Sequence, residues 1–216
     1  MSLRERLRAL HSIVGTPPVN DTFEKNAVDP RSNIVAWLTA AIDANIPEAH
    51  AITLVTVDNQ GRPDARVLII KDIDEQGRIA IATSGSSTKG RQLNENPNVA
   101  LSWYCTAHAR AIRIQGIARP GSRDMSAADF TARSTRAKAI AMAGTQSAQI
   151  PAETDRAALI DAKQMEMTKS TGSDDWQVWL IVPDKVEFWQ GAEDRNHSRL
   201  QYIKREGHWE HATLWP

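Results

Sequence analysis

The chain has 216 residues, 41% of them apolar and 24% charged, and its 26 lysines and arginines are balanced by 26 aspartates and glutamates. That length supports one sizeable core, and the charge balance leaves no overall field to recruit nucleic acid or an anionic membrane. A single cysteine, Cys105, excludes an internal disulfide framework and suits a reducing compartment.

The opening "MSLRERLRALHSIVG" has no apolar run long enough for a signal peptide or membrane span, so a soluble cytoplasmic protein is expected. Residues 1–28 read as a short helix and a mobile tail, "GTPPVNDTFEKNAV", and residues 29–216 as one domain. In "DPRSNIVAWLTAAIDAN", Asp29 is placed to cap a helix and Pro30 suits its first turn. Ile34, Trp37, Ala41 and Ile42 share a face there, and Asn45 and Pro47 end the helix. The pattern then switches to period two. "AITLVTVDNQGRPDARVLIIKDIDEQGRIAIAT" predicts three strands joined by the turns "DNQGRP" and "DEQGR". "NVALSWYC" and "ARAIRIQGIA" add two more, the first holding Cys105 as a packed thiol rather than a nucleophile. Ser122 to Ala143 reads as helical, and "TDRAALIDAKQMEM" as a further helix capped by Thr154. The chain ends in the strands "WQVWLIVP" and "KVEFWQG" and the hairpin "RLQYIKREGHWEHATLW". Antiparallel strands with helices at the start and middle imply a mainly antiparallel α+β domain, a closed or half-open barrel with peripheral helices.

Four stretches carry candidate chemistry. "RVLIIK" sets Arg66 and Lys71 at the ends of an apolar strand, either as two solvated strand-end charges or as ligands of an anion. "TSGSSTKGRQLNENP" runs small hydroxyl residues into a helix bearing Lys89. It reads either as an ordinary capped turn or as a phosphate site of backbone N–H groups, hydroxyls and a lysine. It lacks the spacing of a Walker loop. "GTQSAQ" offers Gln146 and Ser147 as neutral donors in a loop. "FWQGAEDRNHSR" offers Trp189 for a flat ring and Arg195, His197 and Arg199 for an anionic substrate, or else forms a solvated turn. The six histidines are scattered, so no metal site is expected, and no Ser–His–Asp arrangement emerges.

Taken in order, "RVLIIK", the spaced "T-x-x-x-S-x-K-x-x-Q-L-x-x-N-P", "QS" and above all "EFWQGxxxRxHxR" resemble the pyridoxamine 5′-phosphate oxidase family from about Asp29 to Pro216. The resemblance implies a split β-barrel homodimer with FMN at the subunit interface. It implies that Arg66 and Lys89 meet the FMN phosphate, with Thr88 beside them in place of the family's usual Arg and with Gln146 and Ser147 reaching in from the other subunit. The backbone of Val67 and Leu68, with Thr83, would line the flavin, and Trp189 and Arg199 would close its site. Arg195 and His197 would lie over a small heteroaromatic substrate. Hydride would pass to flavin N5 and then to molecular oxygen, giving hydrogen peroxide; the redox chemistry belongs to the flavin.

Several positions depart from the family. Ala111 stands where a flavin-contacting Gln is usual. Lys71 and Arg133 match positions that hold a substrate phosphate, but Asp129 and Ala137 replace the Tyr and Ser that assist them. Lys71 and Arg133 favour a vitamin B6 phosphate as substrate, whereas Asp129 and Ala137 count against it. A reduced tricyclic aromatic, as in the related phenazine-biosynthesis branch, is another expected substrate, and "KGRQL" resembles that branch. A third reading is a flavin carrier without turnover, which the retained Arg195, His197 and Arg199 argue against.

Overall fold

The structure, a computed structural model, describes residues 1–11, 13–18, 27–168 and 172–216. The expected tail falls partly on residues 19–26, outside the described residues. By their packing, the described residues form two compact units, one of residues 1–53, 100–115 and 184–216 and the other of residues 54–99 and 116–183.

The first unit holds helices α1 (Leu3–Arg8) and α2 (Arg31–Asp43). Ser2 and Glu5 form a capping box on α1. At the entry to α2, the Asp29 carboxylate accepts from the Arg31 N–H at 2.8 Å, and Asn45, at φ 53°, turns the chain out of the far end. Ile34, Trp37, Leu38 and Ala41 are buried, the i, i+3, i+4, i+7 stripe of one helix face. Ile42, expected on that face, lies one further step round and is 58% exposed. Trp37 meets Phe188 edge-on at 5.2 Å, and Phe188 meets Tyr202 at 6.0 Å. These aromatics come from the last part of β7 (Trp176–Gln190) and from β8 (Ser198–Arg205), which pair antiparallel with Phe188 opposite Leu200 and Trp189 opposite Arg199. The hairpin continues into β9 (His208–Leu214) through Glu206 and Gly207, both at positive φ as a two-residue hairpin turn requires.

The second unit carries most of β1 (Ala51–Val57), then β2 (Pro63–Ile69), a two-residue β3 (Asp72–Ile73) and β4 (Ile79–Ser84). Four strands thus stand where three were expected, because the chain beyond "RVLII" bends after Ile69 and pairs Asp72 and Ile73 with β4. The two turns between them are the same device. Asp58 accepts the N–H groups of Gln60 and Arg62 and pairs with the Arg62 guanidinium. Asp74 does the same with Gln76 and Arg78. Each turn has its glycine, Gly61 or Gly77, at positive φ.

Helices α3 (Thr88–Glu95), α4 (Arg123–Ala132), α5 (Thr135–Met142) and α6 (Arg156–Glu166) complete this unit. The segment expected to be helical from Ser122 to Ala143 is broken at Arg133, which is extended, and Ser134 caps α5 by accepting from the Ala137 N–H. Asp155, not Thr154, caps α6, accepting from the Ala158 N–H at 2.9 Å.

With β5 (Asn98–Cys105) and β6 (Arg110–Pro120), the strands hydrogen-bond in the order β2-β1-β5-β6-β7-β4-β3, with β8 on β7 and β9 on β8. Cys105 is buried, as a packed thiol should be. The two strands expected between Trp176 and Gln190 are one, running straight through Pro183. β4 pairs as far as Ile181 and β8 begins at Lys185, so the residue without an N–H falls where neither requires one. Among the described residues no helix is long and apolar enough to cross a membrane.

Candidate functional site

The loop between β4 and α3 is held by short-range hydroxyl contacts and one distant carboxylate. Ser87 accepts from the Gly90 N–H at 3.1 Å and donates to the Ser84 carbonyl at 2.7 Å. Asp175 accepts from the Ser86 N–H at 2.8 Å and hydroxyl at 2.7 Å and from the Ser84 hydroxyl, while its carbonyl takes the Gly85 N–H. Burial raises the Asp175 pKa, but these hydrogen bonds outweigh it and hold the carboxyl below its usual range. Gly90 is required here, since a Cβ on it would lie 2.4 Å from the Gly85 carbonyl oxygen.

Two cations converge beside this loop. Lys89 reaches the Thr83 hydroxyl at 3.3 Å. Arg66, on β2, donates to the Thr56 hydroxyl at 2.6 Å and the Gln92 side-chain oxygen at 3.1 Å and pairs with Asp64. Burial lowers the Lys89 pKa and the nearby Arg66 charge lowers it further, with Asp64 opposing. Among the described residues no carboxylate lies within ion-pair distance of Lys89. Two like charges, a cluster of hydroxyls and a helix start fit a phosphate dianion. Thr88 opens α3, and Val67 is exposed on β2 with Leu68 half-buried beside it. Within the same chain, the Thr83 hydroxyl donates to the Gln146 side-chain oxygen at 3.2 Å. Ser147 follows at φ 72°.

A second cluster in the same unit involves three of the expected substrate residues. Lys71, just beyond β2, pairs with Asp129 of α4 at 3.2 Å. The other Asp129 oxygen accepts from the Trp176 indole N–H at 2.7 Å. The Arg133 guanidinium lies over the Trp176 ring, 4.2 Å from its centre, and donates to the Ala137 carbonyl at 3.2 Å. Burial lowers the Arg133 pKa, with Asp129 opposing, and its Nε is buried without a hydrogen-bond partner.

The third cluster belongs to the first unit. Trp189 and the His197 ring are 4.9 Å apart. The Ala192 N–H donates to His197 Nδ1 at 3.0 Å, so the neutral ring carries its proton on Nε2. Arg199, opposite Trp189 in the ladder, pairs with buried Glu187 at 2.8 Å and donates to the Trp215 carbonyl at 2.9 Å. Glu187 also takes Arg113. Burial raises its pKa, and the hydrogen bonds from Arg113 and Arg199 more than reverse this, leaving it below its ordinary value. Arg195, at φ 67°, is exposed, with no ion-pair partner among the described residues.

Residues 38–190 match the family described as pyridoxamine 5′-phosphate oxidase, and residues 176–216 match the pyridoxine 5′-phosphate oxidase C-terminal dimerisation region. The chain belongs to the pyridoxamine 5′-phosphate oxidase family. A pyridoxine/pyridoxamine 5′-phosphate oxidase of Herminiimonas arsenicoxydans is 35% identical over 88% of this chain and 90% of its own. One of Burkholderia pseudomallei is 36% identical over 83% and 86%. Among solved structures, PhzG of Burkholderia lata 383, in complex with tetrahydrophenazine-1-carboxylic acid, is 26% identical with a TM-score of 0.84, covering 92% of this chain and 99% of that one. A pyridoxamine 5′-phosphate oxidase-related, FMN-binding protein of Nostoc punctiforme shares the fold at 17% identity and a TM-score of 0.70, over 89% and 100% of the two chains. The expected fold class, a mainly antiparallel α+β split barrel, is that of this oxidase family.

The sequence pattern gave no role to Asp175 or Trp176, and Gln92 stood in the spaced motif without one. Asp175 meets Ser84 and Ser86 from about ninety positions away, so no local signal marks it. Glu187 stood in the quoted "EFWQG" but had no role until Arg199 was seen against it.

Proposed function

We propose that the chain is an FMN-dependent oxidase of the pyridoxamine/pyridoxine 5′-phosphate oxidase type, working in the cytoplasm as a homodimer with FMN at the subunit interface. The convergence of Arg66 and Lys89 on the hydroxyls of Thr56 and Thr83 carries this reading, because Asp64 offsets only one of the two positive charges and no carboxylate among the described residues lies within ion-pair distance of Lys89. Thr88, Gln146 and Ser147 would add donors to that anion, and the backbone of Val67 and Leu68 would border the ring. Trp189 and Arg199 lie in the stretch matching the dimerisation region and would close the cofactor site, with Glu187 fixing the Arg199 guanidinium. Bound FMN would supply the two-electron chemistry, taking hydride from a small heteroaromatic substrate at N5 and returning electrons to oxygen as hydrogen peroxide. Arg195, exposed and with no ion-pair partner among the described residues, would orient the substrate. His197, its Nδ1 already accepting from the Ala192 N–H, would donate from Nε2.

A second reading, an oxidase of a reduced tricyclic aromatic, is favoured by the Lys71–Asp129 pair, which occupies a cation that a substrate phosphate would need. A flavin carrier without turnover has no use for Arg195 and His197 and is the weakest of the three.

The test is anaerobic. The FMN-loaded protein is mixed with pyridoxine 5′-phosphate, or with a dihydrophenazine carboxylate, and the flavin absorbance is followed. Bleaching by the first supports the B6 reading, and bleaching by the second alone supports the other. Bound flavin that neither compound bleaches refutes the oxidase reading.

A further inference from the structure

Gln190 closes β7 between Trp189 and Gly191, and its side-chain amide ties together separate segments of the first unit. Its Oε1 accepts from the Arg110 Nε–H at 2.7 Å. Arg110 is 1% exposed, and its guanidinium lies over the Trp37 ring, 4.4 Å from the centre. That donor fixes which way the amide points, since the reverse orientation would set an NH2 group against the guanidinium. Nε2 therefore faces three carbonyls, those of His108 and Ala109 at 3.1 Å each and that of Gly191 at 3.3 Å.

Two of those carbonyls lead to the C-terminal cluster. Ala109 sits at φ 49°, a left-handed conformation that a residue with a Cβ keeps only where its surroundings hold it. Its carbonyl also takes the Gly191 N–H at 2.7 Å. The 106–109 turn is gripped by the N-terminal segment as well: the Thr16 N–H donates to the Ala107 carbonyl at 3.0 Å, and a Cβ on Gly15 would collide with the Thr106 carbonyl oxygen. The Gly191 carbonyl belongs to the same peptide unit as the Ala192 N–H, which is the donor to His197 Nδ1. A trans peptide unit is planar, with its C=O and N–H pointing in opposite directions, so holding the oxygen aims the hydrogen.

We infer that Gln190 is a positioning residue for His197: its amide holds the 106–109 turn and the Gly191–Ala192 peptide, so that His197 Nδ1 stays an acceptor and Nε2 keeps the proton. That this serves turnover rests on the oxidase reading; the state of the ring does not.

Two substitutions separate the two ends of the amide. Gln190→Met removes both. Gln190→Glu keeps an acceptor for Arg110 but sets a carboxylate, which has no proton to donate, against three carbonyls. The FMN-loaded protein, labelled with nitrogen-15 in its histidines, is read by NMR at about pH 8, above the ordinary histidine range. His197 is assigned by the signals missing from His197→Asn. The wild-type ring should show one protonated and one bare nitrogen. In both Gln190 variants the two signals should move toward each other as the tautomers mix. The limiting rate, per bound flavin, at which pyridoxine 5′-phosphate or a dihydrophenazine carboxylate bleaches the flavin anaerobically should fall about tenfold, the effect of one misplaced hydrogen bond. A role confined to holding Arg110 in the core predicts instead that Gln190→Glu keeps the wild-type ring signals and rate. That result, or a ring unchanged in Gln190→Met, overturns the inference. If Gln190→Met does not fold, Gln190→Glu decides alone. A wild-type flavin that neither compound bleaches defeats the oxidase reading and leaves the ring spectra to decide what Gln190 does.

Discussion

Replacing Glu187 with Gln tests whether the buried carboxylate organises the C-terminal cluster. Its side chain is 5% exposed, against 25% for Arg199 and 63% for Arg113. The exposed Arg113 pair is screened and contributes at most about 1 kcal/mol. The half-buried Arg199 pair, two hydrogen bonds to one oxygen, sits in the range of roughly 1.5–3 kcal/mol for bonds to charged groups. Gln keeps one acceptor but not the charge, so a net loss of about 2 kcal/mol is expected. For a chain of this size that lowers the Tm by about 4–8 °C. The pH dependence has a fixed sign. Glu187 titrates lower in the folded chain than its ordinary value of 4.5, so its contribution is complete above that value. It fades as pH falls through the lower folded value, where the wild-type side chain becomes neutral like Gln. Thermal melts by circular dichroism, at one protein concentration from pH 7 downward, should show the gap narrowing below about pH 4.5. A gap that is absent at pH 7, or that persists undiminished into acid, would refute the reasoning.

Lys89→Met should weaken FMN retention by at least about tenfold, since it removes a charge-assisted contact, and the flavin-to-protein absorbance ratio after gel filtration reads it. Gly90→Ala drives a methyl group against the Gly85 carbonyl and should cost about 1–3 kcal/mol, visible as a lower denaturant midpoint; an unchanged midpoint would mean the loop yields freely. Arg195→Leu should leave flavin content unchanged and cut turnover by more than about tenfold, because its exposed side chain has no ion-pair partner among the described residues and would act only on substrate.

Much of the fold was legible because its signals are local. Alternation marked β1, β5 and β6, and the "QGR" turns named their own glycines. The errors came where local cues competed with distant partners. Pro183 reads as a break, yet the ladder changes partner there and β7 continues. Thr154 is as good a cap as Asp155 by composition, and only the backbone direction chose between them. At the site, Lys89, Arg66 and the Arg195–Arg199 run are marked by the resemblance to the family, since each alone also reads as a turn or a solvated charge. What Asp129 does depended on Trp176 and Lys71, each about fifty residues away or more, and no pattern along the chain carries that.

The twin turns have a consequence in time rather than in energy. Each confines its ion pair and its glycine to five residues, so closing it costs little chain entropy and belongs to the microsecond scale of hairpin formation. The first fixes the reach of Arg66 along β2, and the second fixes Thr83 on β4. Two of the residues that flank the proposed phosphate position would thus be in register before Asp175, far along the chain, arrives to lock the loop between β4 and α3.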